Sequence, residues 1–406
     1  MKLNITLEEA QNLILERCQP VSTEIVHLTE ALGRVLARDI KAEENIPPFA
    51  RSPYDGYAFR AEDTNGVSAV DPVTLEVIEE VPAGYAPSKK VTQGKAVKIL
   101  TGAPIPEGAD AVTKYEETKT EGVFVAIGNP FKSGENVVPA GEDVTEGEII
   151  ARKGTALTPP IIGLMSALGI SEAEVYKRPR IAIISTGDEL LDISEPLSPG
   201  KIRNSNAYTL AAYCKELGAE PVILGMVNDK AEEVASLITE GLKQADLVIT
   251  TGGVSVGDYD VVRDAVAEVG AETLFWKIEI KPGSPSLAAV KDGKLILALS
   301  GSPAAAMVIF QLVGILLIKK LAGWSEVFHP QTEVILKSGF RKASPRRRFL
   351  RGRLMVENGT AYVDIIGGQG NGVLKSLIGC DILAEVPAGS GSLKAGEKLK
   401  AFLLSG

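Results

Sequence analysis

Two glycine-rich loops, each directly after a short apolar run, constrain the fold of this chain more than any other feature. Residues 181–184 precede the first loop, 185–189, and residues 247–249 precede the second, 250–260. Such runs are typical of buried strands in a doubly wound α/β sheet, where ligands bind at the carboxyl ends of the strands. Glycines expose backbone N–H groups to an anion, and acidic residues follow them in both loops. The pattern predicts a site for a phosphate ligand that is accompanied by a divalent cation.

Length and charge exclude several classes of protein. A chain of 406 residues is too long for one ordinary core, so several domains are expected. The net charge of −9 argues against a nucleic-acid partner, because non-specific binding to nucleic acid depends on basic surface. Residues 304–318 form the longest apolar stretch, which contains Gln311 and falls short of the roughly 20 residues that span a bilayer. We therefore expect a buried helix there, no membrane partner and no signal peptide.

Cysteine and histidine usage limits the available chemistry. Cys18, Cys214 and Cys380 are far apart and form no CxxC pair, which favours a reducing cytoplasm over a zinc site or a disulfide framework. His27 and His329 are the only histidines in the sequence, and neither lies near a glycine loop. Chemistry at the predicted site must therefore depend on carboxylates, lysines, hydroxyls and a bound cation.

The periodicity of apolar residues predicts an α/β multidomain protein. An elongated helical domain combines residues 1–44 with 144–178, and a β-rich lobe, 45–143, is inserted into it. A doubly wound α/β domain follows over residues 179–325, and short strands over 326–406 predict a small C-terminal β-barrel. Residues 6–38 are predicted to be helical with a break at Pro20, and a further helix is predicted over 158–168 with Thr158 as its N-cap.

Several segments, in order and spanning nearly the whole chain, resemble one known family. They are residues 52–58 (SPYDGYA), 100–106 (LTGAPIP), 141–143 (GED), 185–190 (STGDEL), 200–206 (GKIRNSN) and 251–260 (TGGVSVGDYD). Together they resemble the MoeA family of molybdopterin molybdenumtransferases, whose eukaryotic relatives include the E domain of gephyrin. The resemblance implies that the α/β domain is MogA-like.

The resemblance also implies a reaction. The family inserts molybdate into adenylylated molybdopterin, a pterin dithiolene, and releases AMP with the help of Mg²⁺. It is homodimeric, and each active site lies between the α/β domain of one subunit and the inserted lobe of the other.

The family pattern assigns roles to individual positions of this chain. The catalytic positions are Asp55, Thr101, Glu189, Asp229 and Asp258. The cofactor-binding positions are Gly187, Gly252, Gly253, Ser255, Gly257, Lys281, Ser284, Gly301 and Pro303. The metal positions are Glu189, Asp229, Asp258 and Asp260. A cation is physically coherent with this set, because carboxylates around one ligand would otherwise repel one another.

Several of the assigned residues also have a plain structural interpretation. Asp55 suits an Asp-Gly turn, and Thr101 could cap a turn. Glu189 would be an acid at the start of a helix, and Asp229 would be the N-cap of the helix that follows it. Lys281 would be a solvated surface lysine. The basic run at residues 346–353 is predicted to be a solvated face or to pair with acids, and no function is assigned to it.

The chain departs from the usual family pattern at three single positions and in one short segment. Tyr54 stands in place of Met, Val138 in place of Arg, Ser284 in place of the second Lys of Lys-Pro-Gly-Lys-Pro, and residues 300–303 read SGSP in place of PGNP. Each lost cation removes a charge-assisted hydrogen bond of about 1.5–3 kcal/mol. Candidate substitutes are Lys277, Arg51 and a second ion, and a preference for tungstate over molybdate is an open alternative.

Two other functions stay open at this point. One is molybdopterin adenylyltransferase activity, against which the inserted lobe and the terminal barrel argue. The other is a non-catalytic paralogue that binds pterin or scaffolds partner proteins. The missing cations suggest it, whereas the retained acids Asp55, Glu189, Asp229 and Asp258 argue against it.

Overall fold

The computed structural model describes residues 1–254 and 261–404, and these residues divide into two compact units. The α/β–barrel unit contains residues 1–38, 153–157 and those from 173 onward, and the lobe unit contains residues 39–152 and 158–172. The division into four domains stays a prediction.

The helices and strands within the described ranges have the following bounds. The strands are β1 (Lys2–Ile5), β2 (Thr23–His27), β3 (Ile40–Lys41), β4 (Gly56–Phe59), β5 (Val73–Val81), β6 (Lys95–Ile99), β7 (Ala111–Lys114), β8 (Thr118–Glu121), β9 (Phe124–Ile127), β10 (Ile149–Ala151), β11 (Glu172–Tyr176), β12 (Arg180–Thr186), β13 (Leu190–Leu191), β14 (Ile202–Arg203), β15 (Glu220–Val227), β16 (Leu247–Thr251), β17 (Glu272–Ile278), β18 (Ile280–Lys281), β19 (Leu287–Lys291), β20 (Lys294–Leu299), β21 (Gln331–Leu336), β22 (Arg347–Glu357), β23 (Thr360–Ile365), β24 (Ile382–Val386) and β25 (Lys398–Leu403). The helices are α1 (Leu7–Arg17), α2 (Pro159–Ala167), α3 (Asn206–Glu216), α4 (Ala231–Gln244), α5 (Val261–Glu268), α6 (Pro303–Ile309) and α7 (Ile315–Leu321).

The α/β sheet has the order β1-β17-β19-β20-β16-β12-β15, in which β19 runs antiparallel to its neighbours. Ile181 and Ile183 of β12 belong to one buried cluster, with residues of α1, α3, α6 and α7. Ala182 and Ile184 belong to a second cluster, with residues of α4 and α5. Because successive side chains of a strand point to opposite faces, a sheet covered on both faces needs an unbroken apolar run. The predicted doubly wound fold is confirmed.

The predicted buried helix is also present. The helical segment Pro303–Leu321 is long and apolar enough to cross a membrane, but 94% of its most apolar window is buried inside the structure. Residues Phe310–Gly314 within it are π-helical. This segment packs into the large core cluster beneath the sheet.

The prediction that residues 6–38 are helical is correct only for the first part. Helix α1 ends at Arg17, and its start is fixed by a capping box in which Thr6 and Glu9 exchange hydrogen bonds. Residues Thr23–His27 instead form strand β2, which pairs with β11. The β-branched side chains in this segment favour a strand, and Pro20 separates it from the helix. The strand β1, which pairs in parallel with β17, was also not anticipated.

The lobe unit is β-rich, as predicted. Its principal sheet has the order β7-β4-β6-β5-β9-β8, and apolar residues of β4, β5 and β9 form its core. Helix α2 lies in the same unit and begins after the predicted N-cap Thr158, whose side chain makes no capping hydrogen bond.

The C-terminal strands close into the predicted small barrel. The order β22-β23-β21-β25-β24 returns to β22 through a second pairing of β22 with β24. The short strand β18 joins this sheet by pairing in parallel with the start of β22, with Lys281 opposite Arg348. This pairing links the segment after the α/β sheet to the barrel.

A buried side chain from α1 donates a hydrogen bond to the π-helical turn. The Nε2 atom of Gln11, which is 8% exposed, donates to the Leu312 carbonyl over 2.8 Å. Replacement Gln11→Leu removes this buried hydrogen bond, and we expect a loss of about 0.5–1.5 kcal/mol in the free energy of unfolding. Denaturant titration measures the loss. The exposed neighbour Asn12, changed to Leu, is the matched control, and equal effects of the two changes would contradict the interpretation.

Candidate active site

The predicted residues of the α/β sheet meet at one pocket of about 640 Å³. Its walls come from the loops after β12, β15, β16 and β20 and from the start of α6. The predicted site residues that line it are Gly187, Glu189, Asp229, Gly252, Gly253, Gly301 and Pro303. These loops follow the carboxyl ends of parallel strands, which is where ligands bind in doubly wound sheets.

Close approach of the loops explains one of the glycines. Gly252 has φ +95°, and a methyl group on it would overlap the Thr186 carbonyl oxygen. A methyl group on Gly301 would lie 3.4 Å from the Gly252 Cα atom. The backbone N–H groups of Gly253, Val254 and Gly301 have no acceptor among the described residues. The pocket can therefore offer several N–H donors to an anion.

Two carboxylates lie at the same pocket, and neither has the structural role expected for it. Helix α4 begins at Ala231 with Lys230 as its cap residue, so the N-cap prediction for Asp229 is wrong. The Asp229 Oδ1 atom instead accepts from the Thr186 hydroxyl over 2.6 Å, and its N–H donates to Asp188 over 3.2 Å. Glu189 is followed by strand β13, so the prediction that it starts a helix is wrong as well.

The other predicted acids cannot be added to this description. Ser255, Gly257, Asp258 and Asp260 lie outside the described residues. Within residues 1–254 and 261–404, no three His, Cys, Asp or Glu side chains gather closely enough to hold a metal ion. The metal set therefore stays a prediction, of which Glu189 and Asp229 share the pocket.

A buried polar network supports the floor of this pocket. The Ser185 hydroxyl donates to Asn204 Oδ1 over 3.2 Å and lies 3.2 Å from the Thr251 hydroxyl. The same Asn204 oxygen accepts from the N–H of Ala207 in the first turn of α3. The Asn206 Nδ2 atom donates to the Gly301 carbonyl over 2.9 Å. Side chains at the start of α3 thereby connect the loops that form the pocket.

A smaller pocket of about 320 Å³ adjoins the first. It contains the predicted residues Lys281 and Ser284, together with Arg346. Gly283, Pro285 and Asn371 line both pockets. Two cationic side chains therefore lie within reach of the larger pocket, although the sequence assigned a role to Lys281 alone.

The structure separates the arginines of the basic run. Arg347 pairs with Glu8 over 2.7 Å and with Glu385 over 2.8 Å, as the acid-pairing interpretation predicted. Arg348 and Arg351 are buried, so a solvated face is wrong for them.

Lys277, one of the candidate substitute cations, contributes to neither pocket lining. Its Nζ atom lies 3.9 Å from the centre of the Trp276 ring, in a cation–π contact. The additional cation of the smaller pocket is Arg346.

In the lobe unit, two predicted catalytic residues contact each other directly. The Asp55 Oδ1 atom accepts from the Thr101 N–H and from the Thr101 hydroxyl, both over 2.7 Å. These two hydrogen bonds lower the pKa of Asp55 below its usual value. The carboxylate is therefore ionised at neutral pH and held in one orientation.

The lobe unit also places a cation beside the position where the family usually has Arg. Arg51 and Val138 form an isolated antiparallel bridge and exchange N–H···O bonds of 2.9 and 3.0 Å. Directly opposed residues of such a pair have neighbouring side chains on one face. Arg51 thus suits the substitute role. Nearby in sequence, the ring of Tyr54 has the Lys114 ammonium 4.4 Å from its centre.

Comparisons with known proteins match this architecture from end to end. Residues 5–169 match the MoeA N-terminal region (domain I and II), residues 182–320 a probable molybdopterin binding domain, and residues 333–404 the MoeA C-terminal region (domain IV). The molybdopterin molybdenumtransferase of Staphylococcus aureus (strain MRSA252) is 36% identical over 400 residues, which are 98% of this chain and 95% of that protein. The molybdopterin molybdenumtransferase of Bacillus subtilis (strain 168) is 36% identical over 98% of this chain and 94% of its own. The chain belongs to the MoeA family. Among solved structures, the MoeA protein of Pyrococcus horikoshii superposes with a TM-score of 0.86 at 32% identity, over 99% of this chain and 100% of its own.

Two residues of this pocket region were missed by the sequence analysis. Arg346 was grouped with a charge run, and Asn371 lies in a segment without any chemical pattern. The pairing of β18 with β22 is what connects Lys281 to the arginine run. More than sixty residues separate the two segments in the sequence. Only a prediction of this strand pairing could therefore have identified Arg346 as a site residue.

The contact between Asp55 and Thr101 can be tested by titration. The change Thr101→Val removes the hydroxyl donor and keeps the N–H donor, so we expect the pKa of Asp55 to rise part of the way to its usual value. Carboxyl ¹³C chemical shifts of selectively labelled protein, followed against pH, measure this. Thr120→Val on an exposed strand of the same lobe is the control. An Asp55 pKa that is the same in both variants would contradict the assignment.

Proposed function

We propose that this chain inserts molybdate into the dithiolene of adenylylated molybdopterin while AMP is released. As a member of the MoeA family, it is a transferase of molybdenum cofactor biosynthesis. The observation that supports the specific reaction is the pair of adjoining pockets. The larger combines N–H donors with carboxylates, and the smaller combines two cationic side chains.

The larger pocket suits the pterin nucleotide. Its volume of about 640 Å³ lies within the range of small-molecule sites. The N–H groups of Gly253, Val254 and Gly301 can bind phosphate oxygens, and apolar atoms of Ile202 and Pro303 offer surfaces for flat rings. The substrate contains an anionic diphosphate and planar ring systems, so it requires both kinds of contact.

The carboxylates fit a magnesium ion that binds with the substrate. Mg²⁺ is usually held by one or two carboxylates, several waters and substrate phosphates, so Glu189 and Asp229 form an adequate donor set. Asp258 and Asp260 complete that set in our proposal. When bound, Mg²⁺ would neutralise phosphate charge beside these acids. The Thr186 hydroxyl holds the Asp229 carboxylate in place for this role.

The smaller pocket suits molybdate. Lys281 and Arg346 supply positive charge, Ser284 and Asn371 supply polar groups, and no acidic residue lines this pocket among the described residues. The residues shared by both pockets put the oxyanion next to the ligand of the larger one. We infer that this arrangement orients molybdate toward the dithiolene.

The quaternary arrangement and the location are also proposals. The family resemblance implies a homodimer in which the ionised Asp55 of one subunit reaches the ligand at the α/β domain of the other. A cytoplasmic location agrees with the cysteines, which are unpaired thiols, and burial raises the pKa of Cys18 and Cys214 to about 12.

The reaction can be tested directly with purified protein. Incubation with adenylylated molybdopterin, Mg²⁺ and molybdate should release AMP and yield active cofactor, and omission of molybdate should abolish the release. AMP is quantified by chromatography. Release no greater than in a protein-free control would refute catalysis. Formation of molybdopterin adenylate from ATP and molybdopterin would favour the adenylyltransferase alternative instead.

The role of the smaller pocket predicts a change in the KM for molybdate. Arg346→Gln removes a charge-assisted contact, so the KM should rise about tenfold or more. Ser284→Lys adds a cation to the same pocket and should lower it. Arg341→Gln, an exposed arginine outside the pocket lining, is the matched control. Unchanged KM values in both pocket variants would remove the molybdate assignment.

A further inference from the structure

Arg351 is a buried cation, and its removal from water is energetically unfavourable. It is 0% exposed, and within the described residues its Nε and Nη1 atoms have no hydrogen-bond partner. Its Nη2 atom donates to the Gly368 and Gly370 carbonyls over 3.2 and 3.1 Å. Burial lowers the pKa of this guanidinium. An apolar side chain of similar volume would avoid the desolvation, so packing alone does not account for an arginine here.

The two carbonyls that accept from the Arg351 side chain belong to one loop, residues 366–372, between β23 and the short helical turn at Leu374–Leu377. The backbone of Arg351 is joined to it as well. Arg351 N–H donates to Gln369 Oε1 over 3.0 Å, and Gln369 Nε2 donates to the carbonyls of Arg351 and Ile366 over 2.8 and 2.7 Å. Side chain and backbone of Arg351 together fix the 366–372 loop.

The far end of the 366–372 loop contacts the α/β domain. The Asn371 carbonyl accepts from the N–H groups of Ala304 and Ala305, over 2.9 and 3.2 Å, at the start of α6. Asn371 lines both pockets, and Gly372 lines the larger. The position of Asn371 between the pockets therefore depends on how the loop is held.

We propose that Arg351 is a positioning residue for molybdate insertion, which holds the 366–372 loop so that Asn371 lies where the two pockets join. Arg351 itself lines neither pocket, and its effect passes through the carbonyls of Gly368 and Gly370. This role rests on the proposed function, because it concerns how the oxyanion is presented to the pterin.

The test compares Arg351→Met with Arg353→Met, an exposed arginine of the same strand. In Arg351→Met the loop loses its guanidinium contacts while an unbranched side chain of similar length still fills most of the buried space. The KM for molybdate should rise about tenfold, since small displacements of positioning groups have effects of this order or larger. Hydrogen exchange at the Ala304 and Ala305 amides should accelerate. Arg351→Lys, which keeps a cation able to donate to both carbonyls, should restore part of each effect. Arg353→Met should change neither quantity.

Gln369→Met provides a second route if Arg351→Met fails to fold. It releases the base of the loop without removing a buried charge, and the same changes in KM and amide exchange are expected. Faster exchange with an unchanged KM for molybdate would reduce Arg351 to a structural residue and overturn the proposal. Unchanged exchange in both variants would also overturn it.

The proposal and the reaction can fail separately. If the unmodified protein releases no AMP with molybdate, the proposed function is wrong. Two measurements do not depend on the reaction. Amide exchange reports how the loop is held, and calorimetric titration with molybdate alone gives a Kd for each variant. An equal Kd for molybdate in the unmodified protein and in Arg351→Met would then overturn the role of Arg351.

Discussion

The close approach of backbone segments at the carboxyl edge of the α/β sheet is the constraint on which the rest of the site depends. Gly252 lies against the Thr186 carbonyl, and the Gly301 loop lies against Gly252. A side chain at Gly252 would separate the loops after β12 and β16 and remove the N–H donors from a common ligand. The apolar strands bring these loops together, and the missing side chain lets them meet. Thr186 then has a second use, because its hydroxyl orients Asp229.

Charge is divided between the two adjoining pockets. Glu189 and Asp229 lie in the larger pocket, and Lys281 and Arg346 lie in the smaller. An oxyanion would be repelled by the acids unless a cation screened them, whereas the smaller pocket attracts it. Asn371, at the boundary, is uncharged and can accept or donate to either ligand. The barrel therefore does more than complete the fold, because it supplies both Arg346 and the loop that carries Asn371.

Local pattern was enough to predict the buried strands, the long apolar helix and the terminal barrel, since each has a strong periodicity over its own residues. It failed where a distant partner decides the outcome. Residues Thr23–His27 become a strand because β11 is available to pair with them. Asp229 had the ordinary signature of an N-cap, but the Thr186 hydroxyl competes for its carboxylate. Arg346 was indistinguishable from its neighbours, and only the register of β18 against β22 brings it near Lys281. Long-range pairing of this kind leaves no trace in local composition.

The same long-range contacts change how the departures from the family pattern are understood. Ser284 stands where the family usually has a lysine, but Arg346 lies in the same pocket. Val138 stands where the family usually has an arginine, but the residue paired with it in a β-bridge is Arg51. The case for a non-catalytic scaffold rested on the missing cations, and a cation lies beside each of the two positions. An arginine presents a planar set of N–H donors, whereas a lysine presents a point charge. On the proposed function, the exchange of lysine for arginine therefore alters the geometry of the contacts to the oxyanion more than the positive charge beside it.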